Sequence, residues 1–370
     1  MTAEQRTPAR VMAFMNQKGG VGKTTTTVNL AAALARKGRR TLLIDLDPQA
    51  HASIHLGYEG DADAPTVYDV LLGDEAPSPA RAREHLELIP AETDLAAAES
   101  ELATLQAPQH RLRKALERLD NARPESERPE FVLLDCPPSL GQLTVNALVA
   151  AREVFIPMQA HFLALQGVGK LIETVGLLRG TPQQPGLNPK LRVSGVVLCM
   201  HDKQAHHTQE VVADLDTFFE HARTDPSGAD GPLRFARVYR PPIRRNIKLA
   251  ECPSFGQTIF DYAPDANGAE DYTALADNIL SEFEGLPNAS ASTQLAAGEG
   301  TPDQPKVAVV GQAARDSVDA HAPTAHSAAP HQDADASAGT SQDSHPTSQP
   351  APPPVAESHA NGAVDAHRTV

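Results

Sequence analysis

The chain has 370 residues and a net charge of −15. Its length allows two or three domains, but the residues after about Leu286 include no Phe, Tyr or Trp and are rich in Ala, Pro, Ser, Asp and His. Such a segment buries too little apolar surface to offset the chain entropy lost on ordering. We therefore predict a short N-terminal arm (1–9), one domain (10–285) and a disordered tail (286–370).

The net charge does not exclude a nucleic-acid partner, because nine acids and three bases in the tail contribute −6 of the total. The cysteines, Cys136, Cys199 and Cys252, lack metal-ligand spacing, which is typical of a reducing cytosol. The sequence has no signal peptide and no apolar run of the roughly 18 residues that cross a bilayer. We expect a cytoplasmic protein.

Short apolar runs of strand type alternate with stretches of helical spacing. The predicted strands are 11–16, 41–47, 86–90, 131–137, 153–158 and 192–200. The clearest predicted helices are 23–38, 141–152 and about 268–284, and Gly38 has the position of a helix C-terminal cap. Several strands are apolar at successive positions, as in strands covered on both faces. This order predicts an α/β fold with a mostly parallel, twisted sheet and helices on both faces.

The stretch NQKGGVGKTTTT (16–27) lies between the first strand and the first helix. Its glycines let backbone N–H groups turn inward, and the helix N-terminus favours phosphate oxygens. In a P-loop NTPase, Lys23 would reach the β- and γ-phosphates, and the Thr24 hydroxyl would bind Mg²⁺. The predicted nucleotide-binding residues are Lys18, Gly19, Gly20, Val21, Gly22, Lys23, Thr24 and Thr25.

The second lysine of this loop, Lys18, needs its own explanation because Lys23 already neutralises the phosphates. From the lip of the loop, Lys18 could meet the phosphates of a facing copy, so that ATP would join a symmetric dimer. The alternative is an ordinary solvated lysine.

Three aspartates follow apolar strands. Asp45 and Asp47 lie at the end of the second strand and Asp135 at the end of the fourth, where open α/β sheets bind ligands. The i, i+2 spacing of Asp45 and Asp47 predicts that both point to one side of the strand. A carboxylate at these positions can hold Mg²⁺, whereas the alternative is a turn-forming aspartate. We predict a metal site of Thr24, Asp45 and Asp135.

Several motifs in order, KGGVGKTTT, LLIDLDPQ, LLDCPPSLG, NIKLAECPSFGQTIFDY and GAEDYTALA, resemble the ParA family of partition ATPases (ParA/Soj type), in the deviant-Walker-A class that includes MinD. The resemblance covers about 11–284. It implies that Lys18 crosses a dimer interface to the partner's ATP, that Asp47 acts in hydrolysis, and that Asp45 lies near the metal. Asp135 matches the Walker B acid.

The resemblance also implies the biology of the family. Its members bind ATP, dimerise, coat the nucleoid by non-specific DNA binding, and are switched by a ParB-type activator to position chromosomes or plasmids. This chain departs from the family pattern at 160–167 and 198–207. Only about ten residues precede the first strand, so we expect no operator-reading domain and no autorepression.

A basic segment, 237–251, provides a candidate DNA contact. It holds five bases before the first acid: Arg237, Arg240, Arg244, Arg245 and Lys248. Such a cluster suits phosphate contacts without sequence information. The alternatives are a solvated face and internal ion pairs.

Other functions were weighed against partitioning. A ParA-like ATPase could position another cargo, and a MinD-like protein would bind membrane. The C-terminal residues lack the amphipathic helix that membrane binding requires, so we expect no stable membrane association. A metabolic phosphotransferase is a further alternative. Its ATP turnover would depend on a metabolite, whereas that of a partition ATPase would depend on DNA and an activator protein.

Overall fold

The structure, a computed structural model, describes residues 9–60, 65–181, 183–202, 206–224 and 231–285. The predicted tail and nearly all of the predicted arm lie outside the described residues, and their boundaries stay predictions.

The centre of the fold is an eight-stranded sheet in the order β3-β4-β2-β5-β1-β6-β7-β8. The strands are β1 Arg10–Phe14, β2 Thr41–Asp45, β3 Ala80–Arg83, β4 Leu86–Ile89, β5 Phe131–Asp135, β6 Glu153–Met158, β7 Arg192–Leu198 and β8 Arg237–Val238. Neighbours are parallel except for β3 and β4. The six predicted strands are confirmed, and some of their ends are shorter by one or two residues. The strands β3 and β8 were not predicted.

Helices connect the strands and follow the last one. They are α1 Lys23–Arg36, α2 His51–His55, α3 Val67–Leu72, α4 Leu95–Leu102, α5 Arg111–Ala122, α6 Gln142–Ala150, α7 Phe162–Arg179, α8 His206–Thr224, α9 Lys248–Glu251, α10 Ile259–Tyr262 and α11 Asn267–Gly285. The predicted cap is confirmed, because Gly38 has a φ of +76° and donates its N–H to the carbonyl of Ala35. None of the helices in these ranges is long and apolar enough to cross a bilayer.

Both faces of the sheet are covered, as predicted. Along β1, Met12 and Phe14 pack into a hydrophobic cluster on one face, while Ala13 and Met15 pack into a cluster on the other. Successive strand side chains point to opposite faces, so a strand buried on both sides is apolar at every position. Burying each large side chain contributes roughly 1.5–3 kcal/mol, and these contacts hold the strand ends that carry the site.

The three cysteines are all buried and free. Burial raises the pKa of the Cys199 and Cys252 thiols to about 11. They are therefore neutral packing groups at physiological pH.

Candidate nucleotide-binding site

Three parallel strands end side by side at the carboxyl edge of the sheet. In the strand register, Asp135 at the end of β5 pairs with Phe14 on one side and with Asp45 on the other. The loop that follows β1 therefore begins next to Asp135, and Asp45 lies one strand further along the sheet. The topology brings together the glycine-rich loop and the predicted metal ligands.

The backbone of the glycine-rich loop is anchored at both ends. Asn16 donates from Nδ2 to the carbonyl of Pro157 at 2.9 Å, and its Oδ1 accepts the N–H of Lys18 at 3.0 Å. At the other end Gly22 has a φ of +94°, and a Cβ there would lie 3.3 Å from Cys199 Sγ. A side chain at Gly22 would thus be strained and crowded. From Gly22 the chain passes directly into α1.

Lys23, the first residue of α1, lies inside the loop. Lys23 is 8% exposed, and its ammonium donates a hydrogen bond to the carbonyl of Lys18 at 3.4 Å. At this length the hydrogen bond is weak, so the described residues pair the largely buried ammonium only in part. A buried ammonium at the junction of a glycine-rich loop and a helix N-terminus is suited to polyphosphate oxygens.

Asp135 has the environment of a metal ligand. It is fully buried; its Oδ1 accepts the Thr27 hydroxyl at 2.9 Å, and its Oδ2 has no hydrogen-bond partner among the described residues. Burial and the neighbouring Asp45 carboxylate raise the pKa of Asp135, against the nearby Thr24 and Thr27 hydroxyls, which lower it. An unpaired buried carboxylate oxygen beside a threonine hydroxyl fits Mg²⁺, which prefers oxygen ligands.

Asp45 is held by the protein on both oxygens. Its Oδ1 accepts the N–H of Asp47 at 3.2 Å, and its Oδ2 accepts the N–H and the hydroxyl of Ser53 at 2.9 and 2.8 Å. Ser53 Oγ in turn accepts the N–H of Ala91 at 3.0 Å. These bonds fasten α2 to the end of β2. Metal binding by Asp45 stays a prediction. The contact of Asp45 with Ser53 was not predicted from the sequence.

The shared orientation of Asp45 and Asp47 stays a prediction, because the strand on which it was argued does not reach Asp47. The strand β2 ends at Asp45, and Asp47 follows in the loop, half-buried, where its Oδ1 accepts the N–H of Gln49 at 3.0 Å. The i, i+2 argument requires a strand that continues through both residues. Asp47 is instead on the loop segment that directly follows β2.

Lys18 is exposed, and its ammonium lies outside its own loop. It contacts the imidazole of His161 with 2.7 Å between Nζ and Nε2. The two lysines thus occupy different places, with Lys23 inside the loop and Lys18 at its lip. No sequence motif pointed to His161 beyond its place in the segment 160–167.

Most of the five predicted DNA-binding residues are engaged in contacts within the chain. Four of them form intramolecular ion pairs: Arg237 with Glu282, Arg240 with Asp216, Arg244 with Asp271 and Glu270, and Lys248 with Glu251. Asp271 is buried, so its bond from Arg244 is structural. Arg245 is exposed and forms no ion pair with a described residue. Internal pairing, the alternative raised above, therefore applies to most of the segment.

The site defines a P-loop ATPase with a Mg²⁺ site. It combines a glycine-rich loop between a strand and a helix, a buried lysine at the start of that helix, and a buried carboxylate with one oxygen that no described residue pairs. A protein-family model described as an AAA domain matches residues 9–193.

Relatives narrow this class. The chain is 40% identical over 278 residues to the chromosome partitioning protein ParA of Myxococcus xanthus, covering 74% of this chain and 89% of the relative. It is 40% identical over 279 residues to the chromosome-partitioning ATPase Soj of Thermus thermophilus, covering 75% and 98%. A solved structure of cobyrinic acid a,c-diamide synthase from Mycobacterium smegmatis, with bound ATP analog and magnesium, is 34% identical with a TM-score of 0.58 and covers 75% of this chain and 97% of that chain.

The chain belongs to the ParA/Soj family of chromosome-partitioning ATPases. The predicted family, the α/β P-loop fold, ATPase activity and the ATP and Mg²⁺ cofactors are confirmed.

Proposed function

We propose that this chain is an ATP-dependent dimerising switch that binds DNA non-specifically and drives chromosome or plasmid partitioning with a ParB-type activator. The observation that carries the proposal is the division of labour between the two lysines. Lys23 lies in the loop, where it can neutralise bound phosphate, whereas Lys18 is exposed at the lip, from which it could reach a second molecule. A site completed by a second copy makes dimerisation the readout of ATP binding.

Each residue of the site then has a role in the nucleotide cycle. The loop N–H groups and Lys23 hold the β- and γ-phosphates, while Thr24 and Asp135 would hold Mg²⁺, with Asp45 beside them. When bound, Mg²⁺ offsets the negative charge of the phosphate oxygens. We assign the orientation of the attacking water to Asp47. The loop 16–27 contains no arginine to act as an internal finger, so hydrolysis should be slow until an activator binds.

Non-specific DNA binding would depend on the exposed part of the basic segment. Arg245 forms no ion pair with the part of the chain that the structure describes, and Lys248, although paired with Glu251, is exposed and can exchange that partner for a phosphate. A site with few phosphate contacts binds weakly and loses affinity as salt rises, with Kd of about 10⁻⁴–10⁻⁶ M. Weak binding suits a cytoplasmic, nucleoid-associated protein that leaves DNA when its dimer separates.

The deciding experiment is DNA binding with ATP, with ADP and without nucleotide, over a salt series. We expect salt-sensitive binding with ATP only. In Asp47→Ala, hydrolysis should stop and the ATP-bound dimer should persist on DNA. Lys18→Ala should bind nucleotide but remain monomeric and off DNA.

Two results would reject the proposal. One is DNA binding that is indifferent to nucleotide, and the other is a Lys18→Ala protein that dimerises with ATP as the wild type does. Vesicle sedimentation with ATP tests the MinD-like alternative, and ATP turnover that requires a metabolite instead of DNA and an activator would indicate a metabolic enzyme.

A further inference from the structure

The contact between Lys18 and His161 has a defined chemistry. A lysine ammonium has three donors and no acceptor, so at 2.7 Å the imidazole Nε2 must be the acceptor. Nε2 can accept this bond only in the tautomer that carries its proton on Nδ1. An alkyl side chain at this position would offer no acceptor, whereas an amide oxygen would.

His161 belongs to a segment that is fastened to the phosphate loop. The strands β1 and β6 are neighbours in register, with Ala13 opposite Val154. Past the strand ends, the Asn16 amide donates to the Pro157 carbonyl at 2.9 Å, and the Gln159 amide reaches the Gly20 carbonyl at 3.4 Å. These two bonds flank Lys18 in its loop and lie two and four residues before His161 in its segment, so they keep the imidazole close to the ammonium.

We propose that His161 is a positioning residue that holds the Lys18 ammonium in a resting position on its own chain and so limits ATP-dependent dimerisation. The inference rests on the proposed cross-dimer role of Lys18. In the seated state the ammonium is directed to the start of α7 of its own chain. Only protomers in which Lys18 has left this seat present it to a partner, and the apparent affinity of association falls with the fraction that is competent.

The consequence is a dimer that forms less readily than the phosphate contacts alone would allow. A symmetric dimer uses Lys18 twice, so the competent fraction enters the dimer dissociation constant twice. If about one protomer in three is competent, removing the seat should lower that constant roughly tenfold.

The test measures the dimer dissociation constant at saturating ATP by analytical ultracentrifugation. All proteins carry Asp47→Ala so that hydrolysis does not disturb the equilibrium. His161→Ala and His161→Leu both remove the acceptor, and we expect each to tighten the dimer by roughly tenfold. His161→Gln retains an oxygen acceptor and should return the constant toward that of the parent. A merely structural effect would appear in all three variants. An effect of the lost acceptor would appear in the Ala and Leu variants but not in the Gln variant.

Binding of a fluorescent ADP analogue and the Tm of each variant show whether the monomer is intact. Two acceptor-free side chains of different size keep the test open if one of them fails to fold. An unchanged or weaker dimer in the folded acceptor-free variants, or a Gln variant that behaves like Ala, overturns the inference. A parent that forms no dimer with ATP overturns the proposed function itself, so the two failures are distinguishable.

Discussion

At the scale of single residues, the site concentrates buried polar groups that the protein alone does not fully pair. Asp135 keeps one carboxylate oxygen without a partner among the described residues, directly across the strand register from Asp45. Leaving a buried acceptor unpaired costs on the order of 1–3 kcal/mol. The fold therefore holds a carboxylate ready for a cation at the expense of its own stability.

Replacing Asp135 by Asn should separate stability from activity. Burial raises the Asp135 pKa, so the native state holds the proton more tightly than the unfolded chain, and stability without Mg²⁺ falls as pH rises above the ordinary aspartate value. Asp135→Asn removes that fall and should increase the free energy of unfolding at pH 8 by about 1–3 kcal/mol, while Mg²⁺-dependent hydrolysis is lost. Urea unfolding in EDTA at pH 6 and pH 8 measures the effect. The exposed Asp94→Asn is the control, and equal behaviour of the two variants would contradict the prediction.

Histidine burial on α2 predicts an opposite pH dependence. Burial lowers the pKa of His55 to about 4, from an ordinary value of about 6.5. Between these values the unfolded chain takes up a proton that the native state refuses, so stability is lost as pH falls. From pH 7.5 to pH 5 the loss attributable to His55 should be about 2 kcal/mol.

His55→Gln should reduce the pH dependence of urea unfolding by that amount, whereas His51→Gln, at the exposed first position of the same helix, should not. A His55→Gln protein with the full wild-type loss at pH 5 would contradict the assignment.

The sequence could predict the loop residues but not their partners. The phosphate-loop pattern is local and includes Gly22, Lys23 and Thr24. A local pattern can be recognised from the order of residues in the sequence alone. The bonds from Ser53 to Asp45 and from Thr27 to Asp135, and the Lys18–His161 contact, join residues 8, 108 and 143 positions apart. Only the folded register places these groups within reach of each other.

At the scale of elements, the strands that the sequence identified are those buried on both faces. Their continuous apolar runs leave little ambiguity. The two missed strands lack that signal: β3 (Ala80–Arg83) is a charged edge strand, and β8 has two residues, Arg237 and Val238. Edge and very short strands are defined by their neighbours more than by their own side chains.

The segment that contains β8 and α9 offers a matched pair of adjacent arginines. Arg244 donates to the buried Asp271 from its guanidinium and its backbone N–H, so Arg244→Ala would leave that carboxylate without its cation and should cost about 3–5 kcal/mol. Arg245→Ala removes an exposed cation, and we expect an unchanged Tm with weaker, less salt-dependent DNA binding. Thermal unfolding and DNA titration of both variants check this. A stable Arg244→Ala, or an Arg245→Ala with wild-type DNA affinity, would contradict it.

At the scale of the whole molecule, charge is unevenly divided. The net charge is −15, of which residues 286–370 carry −6, and the basic segment lies in the remaining part. The proposed DNA binding would require local attraction that outweighs long-range repulsion at this net charge, and both decrease as salt screens them.

A chain ending at Gly285 should therefore bind DNA more tightly than the full chain at low salt. We expect the same Tm, the same requirement for ATP, and a modest gain in affinity, roughly two- to fivefold, which disappears as the Debye length shortens to about 8 Å near 0.15 M salt. Filter binding at 0.02 M and 0.15 M salt measures this. A truncated chain that loses ATP dependence would show that the tail is part of the switch, and one that does not fold would contradict the predicted domain boundary.

The burial of every cysteine has a practical consequence for labelling chemistry. Thiol reagents need an accessible thiolate, and Cys136, Cys199 and Cys252 provide neither access nor a low pKa. The native chain is thus already a silent background for maleimide dyes. A single new cysteine at an exposed position such as Lys170 on α7 would carry one fluorophore per protomer. Energy transfer between two such protomers would follow association and release in real time, with every native thiol left in place.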